Sequence, residues 1–296
     1  MDCIVIGGGP AGLTAAIYLA RYRRKVAVID SGESRARLIP KTRNYPGFAD
    51  GITGERLLQV LRTQAENYGV NLVEARVEQL QKAGNRFTLQ FAARQLSTAR
   101  VIMATGLVDR HPPIPRLNKA IAEGLVRYCP ICDGFEASDL RIAVLGHAPD
   151  ACGKALFLRS YSKSVTLLTL NDSTPEREAC AELAAAGVTF PAARVSCIDR
   201  ASRVIRITLA SGQRMEFDAL YPVLGCDVRS TLATALGAAQ NRIGCLVVDQ
   251  HQETDVAGLY AIGDVVSDLH QIAVGTGHAA VAATHLHHAL QRNLRS

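Results

Sequence analysis

The chain has 296 residues, enough for one large domain or two ordinary ones. Its 48% hydrophobic and 20% charged content, with 24 glycines, describes a globular α/β chain and excludes a disordered one. The balance of 33 basic against 27 acidic residues leaves +6, but only Arg21–Lys25 cluster; they read as a solvated helix end and give no nucleic-acid surface.

No apolar run reaches membrane-spanning length, and the N-terminus enters a strand without a basic leader, so a cytoplasmic location with no membrane partner is expected. Residues 4–30, IVIGGGPAGLTAAIYLARYRRKVAVID, predict a strand, a glycine turn, a helix and a second β-branched strand. Gly7, Gly9 and Gly12 form G-x-G-x-x-G, and Asp30 closes the second strand. Glycines at these places allow a tight turn, close approach of a pyrophosphate to backbone N–H groups, and close helix–strand packing; the acid accepts ribose hydroxyls. Gly7, Gly9, Pro10, Ala11, Gly12 and Asp30 are therefore candidate dinucleotide contacts.

Further along, VIMATG (101–106) predicts a strand ending in a small-residue turn at Ala104, Thr105 and Gly106. YCPICDGFE (128–136) places Cys129 and Cys132 two residues apart, with Asp133 directly behind. A metal site would need about four ligands and a second such pair, which the chain lacks, and the C-terminal histidines do not copy a metal-binding spacing, so no metal is expected. A structural disulfide closing so short a loop would add little stability. A redox pair, tuned by an adjacent acid, is the third reading. The other cysteines (Cys3, Cys152, Cys180, Cys197, Cys226, Cys245) stand singly and are expected to behave as small buried hydrophobes.

Residues 143–169, AVLGHAPDACGKALFLRSYSKSVTLLT, repeat the first unit at a shift of 139, Gly146 falling on Gly7. Two β-α-β units predict an α/β chain with two Rossmann-like doubly wound nucleotide-binding domains. GLYAIGDV (258–265) adds a strand ending at Gly263-Asp264. Taken with the first glycine turn and VIMATG, it resembles the nucleotide-contacting segments of the two-dinucleotide-binding-domain flavoproteins. The resemblance implies FAD as cofactor and Asp264 on its ribityl chain. It divides the chain into 1–112 and 231–296 as a discontinuous FAD domain, with 113–230 as an inserted NAD(P)-like domain carrying the cysteine pair.

CPICDGFE also resembles the Cys-x-x-Cys-Asp-Gly-Phe signature of the low-molecular-weight thioredoxin reductases and their relatives. NYPGF (44–48) matches their flavin-side segment, bringing in Asn44. HQIAVGTGHAA (270–280) matches the stretch after the Gly-Asp motif, bringing in Gln271, Ile272 and Ala273. The resemblance implies that Cys132 faces the flavin, Cys129 exchanges with the substrate thiol, and Asp133 moves the proton, with His278 a second proton carrier. It also implies a homodimer, and a helix starting near Thr276 whose N-terminus faces the flavin.

The second unit departs from the reductases. Its turn reads Gly146, His147, Ala148, Pro149, Asp150, Ala151, with Ala148 where the pyrophosphate needs a glycine. Thr169 replaces the acid, and Thr169, Leu170 and Asn171 replace a His-Arg-Arg run, Asp172 and Arg177 being only partial substitutes. NAD(P)H binding is therefore doubtful. Together with Cys129-Pro130-Ile131-Cys132, this resembles the FAD-dependent dithiol oxidases that close disulfides in natural products such as gliotoxin, holomycin and cyclic depsipeptides. The expected reaction takes a small-molecule or peptide dithiol and O2 to a disulfide and H2O2. Asp133 leans back toward an NAD(P)H-driven reductase, and a ferredoxin- or flavin-fed reductase is the third form.

Overall fold

The computed structural model describes residues 1–147, 150–170, 176–266 and 269–294. Strand β1 (Cys3–Ile6) and helix α1 (Pro10–Arg21) lead to β2 (Val26–Asp30), parallel to β1 with Cys3 opposite Val26. A 3-10 turn (Arg35–Leu38) and α2 (Gly54–Asn67) precede β3 (Asn71–Glu74) on the outer side of β2. The antiparallel strands β4 (Gln79–Ala83), β5 (Arg86–Phe91) and β6 (Arg94–Thr98) follow, and β7 (Arg100–Met103) then lies on the other flank of β1. Next come β8 (Leu107–Asp109), α3 (Leu117–Ala122) and α4 (Pro130–Asp133), the last beginning at the cysteine pair.

The repeat predicted from sequence is present. Strand β9 (Ile142–Gly146), α5 (Asp150–Leu158) and β10 (Val165–Leu168) form a second β-α-β unit, parallel, with Ile142 opposite Val165. After α6 (Arg177–Ala185), the strands β11 (Val195–Ala201), β12 (Val204–Leu209) and β13 (Arg214–Phe217) make a second antiparallel meander, and β14 (Ala219–Val223) joins β9 in parallel. The chain returns through β15 (Cys226–Val228), α7 (Thr231–Thr234), β16 (Leu259–Ala261) and α8 (Ile272–Ala289). The sheets are thus parallel in the orders β16-β7-β1-β2-β3 and β10-β9-β14. Strands β1, β2, β9 and β14 are fully buried and, apart from Asp30 at the end of β2, carry no charged residue, as strands covered on both faces must be. Strands β8 and β15, on either side of the second sheet in sequence, pair antiparallel, Leu107 opposite Val228 and Asp109 opposite Cys226.

Helix α8 packs on α1 through small side chains. Ala279, Ala282, Ala283 and Leu286 meet the cluster of Leu13, Ala16, Ile17 and Leu19. Each large aliphatic side chain buried there contributes about 1.5–3 kcal/mol.

Three local expectations are corrected. Helix α8 starts at Ile272, a turn before Thr276, because Gln271 takes the extended N-cap conformation. The Arg21–Lys25 cluster is not wholly solvated: Arg24 is buried and donates to His287 Nδ1 at 3.0 Å and to the carbonyls of His287 and Gln291 at 2.9 and 2.8 Å. It satisfies the His287 carbonyl in the last turn of α8 and ties down the Gln291 carbonyl just beyond the helix. Among the single cysteines, Cys3, Cys152 and Cys245 are buried, but Cys197 is exposed beside Asp199. Among the described residues no helix is long and apolar enough to cross a membrane.

Candidate active site

The first glycine turn is built for close backbone approach. Gly7 has φ +108°, and a β-carbon there would lie 2.3 Å from the Ala104 carbonyl oxygen. A β-carbon on Gly12 would lie 2.0 Å from the Gly7 carbonyl oxygen, so α1 can sit on the strand ends only with glycine there. Gly9 caps α1 without offering a side-chain acceptor, and the first turn carries no acid. The helix N–H groups and their positive dipole end are therefore left for an anion. Asp30 is buried at the end of β2, where Arg62 of α2 meets its carboxylate. Gly263 has φ +72°, and a β-carbon there would lie 3.0 Å from the Ala11 side chain; Asp264 follows it on a short 3-10 turn.

Gly7, Gly9, Ala11, Asp30, Ala104, Gly263 and Asp264 line one cleft of about 660 Å³. Its far wall comes from the segment around α4 and includes Arg127, Tyr128, Cys129, Cys132 and Asp133. Arg35 crosses the cleft, gripping Asp109 at 2.6 and 2.8 Å and Asp264 at 3.0 Å. Burial works against its charge, and the two carboxylates more than offset that. Tyr128 reaches out of the cleft to His111, with 2.6 Å between its hydroxyl and Nδ1.

Cys129 and Cys132 are joined in a disulfide with their Cα atoms 5.2 Å apart. Cys129 caps α4 with Pro130 at the first helical position, where a missing N–H costs nothing. The Gln271 amide Nε2 lies 3.3 Å from each sulfur, and its Oε1 accepts from Asn44 Nδ2 at 2.9 Å. Asp133 turns its carboxylate toward Tyr221, whose hydroxyl donates to Oδ1 at 2.9 Å, and toward Arg127, 3.3 Å from Oδ2. Burial pushes the Asp133 carboxyl above the usual carboxylate range, while Arg127 and Tyr221 pull it back.

Of the predicted residues, Gly7, Gly9, Pro10, Ala11, Asp30, Asn44, Ala104, Thr105, Gly106, Gly263, Asp264, Gln271 and Ile272 line this cleft with Cys129, Cys132 and Asp133. Gly12 lies behind it, as a packing glycine should. Ala273 is exposed and does not line the cleft. His278 does not line it either; its Nδ1 accepts from the Gly263 N–H at 3.4 Å. The histidine that lines the cleft is His270, just before α8. In the second unit, Gly146 packs against Val223 and Thr169 is buried, its carbonyl accepting from Val195. Arg177 is exposed at the start of α6, and the readings of Ala148, Pro149, Asn171 and Asp172 lie outside the described residues. The sequence reading missed Arg35, Asp109 and Tyr221, isolated polar residues with no motif around them, and passed over Arg127 and Tyr128, which stand directly before the cysteine pair.

The cleft suits FAD on its own chemistry. It has a glycine cradle that side chains would fill and an uncapped helix end for the pyrophosphate. His270 Nε2, on the cleft wall, is buried without a hydrogen-bond partner, as a group facing a bound ring would be.

Known proteins give the same answer. Residues 1–285 match the family described as pyridine nucleotide-disulphide oxidoreductase. The thioredoxin reductase of Streptomyces clavuligerus is 32% identical over 94% of this chain and 91% of its own, and that of Mycolicibacterium smegmatis 30% identical over 96% and 94%. Among solved structures, HlmI superposes with a TM-score of 0.90 at 31% identity, covering 97% of this chain and 92% of its own. The thioredoxin reductase of Streptococcus pyogenes MGAS5005 gives 0.89 at 27%, covering 97% of each chain. The Lactococcus lactis thioredoxin reductase in its FR conformation gives 0.63 at 26%, covering 97% and 98%. The chain belongs to the pyridine nucleotide-disulphide oxidoreductases, as a FAD-dependent disulfide oxidoreductase of the thioredoxin reductase type.

Proposed function

We propose that the protein is a dithiol oxidase, closing a disulfide in a small-molecule or peptide substrate. The observation that carries this reading is the end of β10. Where the first unit places the ribose-binding Asp30, the second places Thr169, buried and bonded to the β11 backbone, with Leu170 beside it. Among the described residues, that strand end offers neither an acid for a ribose nor a cation for a 2′-phosphate. The cysteine pair, by contrast, already faces the cradle of the first unit.

A substrate thiolate attacks Sγ of Cys129, the Cys129–Cys132 bond breaks, and Cys132 departs as a thiolate beside Gln271. The second substrate thiol then displaces Cys129, and the substrate leaves as a disulfide. Asp133, with its raised proton affinity, takes and returns the proton near the pair. Gly7, Gly9 and the α1 N-terminus would hold the FAD pyrophosphate, Asp30 a ribose, and Asp264 the ribityl chain. When bound, FAD supplies the two-electron acceptor that re-closes the pair and hands the electrons to O2, so that dithiol and O2 give disulfide and H2O2. On this reading residues 1–112 and 231–296 form the FAD unit and 113–230 the insert, with the β8–β15 ribbon near both seams, and the enzyme works in the cytoplasm as a homodimer.

A second reading is an NAD(P)H-dependent disulfide reductase. Asp133 favours it, because the reductase signature places an acid directly behind the cysteines, and the named relatives are thioredoxin reductases. One experiment separates the two. The anaerobic holoenzyme is mixed with NADPH, then NADH, then a dithiol, while the visible flavin absorbance is followed. Bleaching by dithiol alone, with peroxide formed on admitting air, supports the oxidase; rapid bleaching by micromolar nicotinamide overturns it.

A further inference from the structure

Three segments distant in sequence meet at the disulfide through one amide. The Thr42 hydroxyl donates to Asn44 Oδ1 at 2.8 Å, and the Asn44 NH2 donates to Gln271 Oε1 at 2.9 Å. In this network the Gln271 oxygen is engaged by Asn44 and lies farther from the pair, 3.7 Å from Cys132 Sγ, while Nε2 is the nearer atom to both sulfurs. One of its two hydrogens goes to the His270 carbonyl at 3.0 Å. The other lies between Cys129 Sγ and Cys132 Sγ, with Nε2 3.3 Å from each. Gln271 makes no side-chain cap for α8, so helix start does not explain the orientation.

We propose that Gln271 is a catalytic residue whose amide N–H stabilises the thiolate of the reduced Cys129–Cys132 pair, with Asn44 and Thr42 as positioning residues that hold the donor toward sulfur. A disulfide sulfur is a weak acceptor and makes little use of this N–H. Reduction takes two electrons and one proton, breaks the S–S bond and leaves a thiol and a thiolate, and the same N–H then makes a charge-assisted bond. Because Nε2 is equidistant from both sulfurs, it serves whichever one carries the charge during exchange. The N-terminal end of α8 adds its dipole at the same place. The net effect is to favour the reduced pair and so make the disulfide a better oxidant. The proposal rests on reading the pair as redox-active.

The test uses the FAD-loaded protein equilibrated anaerobically in reduced and oxidised dithiothreitol, which supplies and accepts the electrons. The mixtures are alkylated and the reduced fraction is counted by mass. Losing one hydrogen bond to a charged sulfur shifts the equilibrium on the order of tenfold. Gln271→Met should therefore need about tenfold more reductant, or about 30 mV for a two-electron couple. Iodoacetamide trapping of the reduced pair should show its apparent thiol pKa raised by roughly one unit. Asn44→Asp, which replaces the donor to Oε1 by an acceptor and touches neither sulfur, should move both readouts the same way and covers the case in which Gln271→Met does not fold. If the wild-type pair cycles and the variants match it in both measurements, the proposal is overturned while the redox reading stands. If the wild-type pair stays oxidised at every ratio, both are overturned.

Discussion

Tyr221→Phe removes a single oxygen from a side chain with no solvent exposure. That oxygen donates to Asp133 Oδ1 at 2.9 Å. Burial raises the Asp133 carboxyl above its ordinary value, and the Arg127 charge and the Tyr221 hydroxyl both pull it down without cancelling the rise. Deleting the hydroxyl therefore moves Asp133 further up. A hydrogen bond to a charged group is worth about 1.5–3 kcal/mol, equivalent to roughly one to two pH units. The Asp133 side chain keeps 27% of its exposure, which argues for the lower end, about one unit. The stability sign follows. A carboxyl whose folded value lies above its unfolded one favours folding most at low pH, and that advantage fades as pH rises through the folded value. The fade should come at higher pH in Tyr221→Phe. The assay is the pH dependence of thiol–disulfide exchange between the enzyme and a small dithiol. We expect the Asp133 limb to move up by about one unit in Tyr221→Phe and to vanish in Asp133→Asn. A Tyr221→Phe profile lying on the wild type, with the limb lost in Asp133→Asn, would refute the reasoning.

Other outcomes are expected. Gly12→Ala forces a β-carbon onto the Gly7 carbonyl, costing about 1–3 kcal/mol as α1 lifts, and purified protein should show a lower flavin-to-protein ratio and melting temperature. Cys132→Ser should retain its flavin but lose dithiol-driven bleaching; unchanged bleaching would leave the pair without a role. Arg24→Ala should destabilise by about 1–3 kcal/mol in chemical denaturation, since three acceptors at the end of α8 lose their donor. His287 accepts from Arg24, and burial followed by the Arg24 charge holds its pKa below the ordinary value. Its contribution is present above the ordinary histidine range and lost as pH falls through the depressed value. Melting temperature should therefore fall on acidification, and less so in His287→Gln.

What could be read in the sequence was what local spacing dictates. The glycine triplet, the strand-terminal Asp30 and the Cys129–Cys132 pair each carry their chemistry within a few residues, and the shifted repeat lands on the right strands because β-branched runs and glycine turns are local signals. The polar side chains that finish the site are another matter. Arg35 reaches Asp109 and Asp264, and Tyr221 reaches Asp133, only after two sheets have formed, and a lone Arg or Tyr announces nothing beforehand. The His278 expectation rested on the resemblance of the 270–280 segment, and linear sequence does not say which of its two histidines turns to the cleft; in the fold it is His270.

The β8–β15 ribbon bears on how the molecule assembles. Val101 of β7 pairs with Leu259 of β16, and everything between them must be spanned before the first sheet can close on that side. Loop-closure entropy grows only as the logarithm of loop length, but all of it is spent before any contact is made. Once the segment between β8 and β15 is folded and the ribbon zipped, Asp109 and Cys226 are neighbours and the loop is effectively short. We therefore expect this topology to favour one order of assembly: the β10-β9-β14 sheet first, the ribbon next, and β16 on the outer side of β7 last. Lesions far from the cradle, in β9 or β14, should then appear in cells as flavin-free chains rather than as inactive flavoprotein.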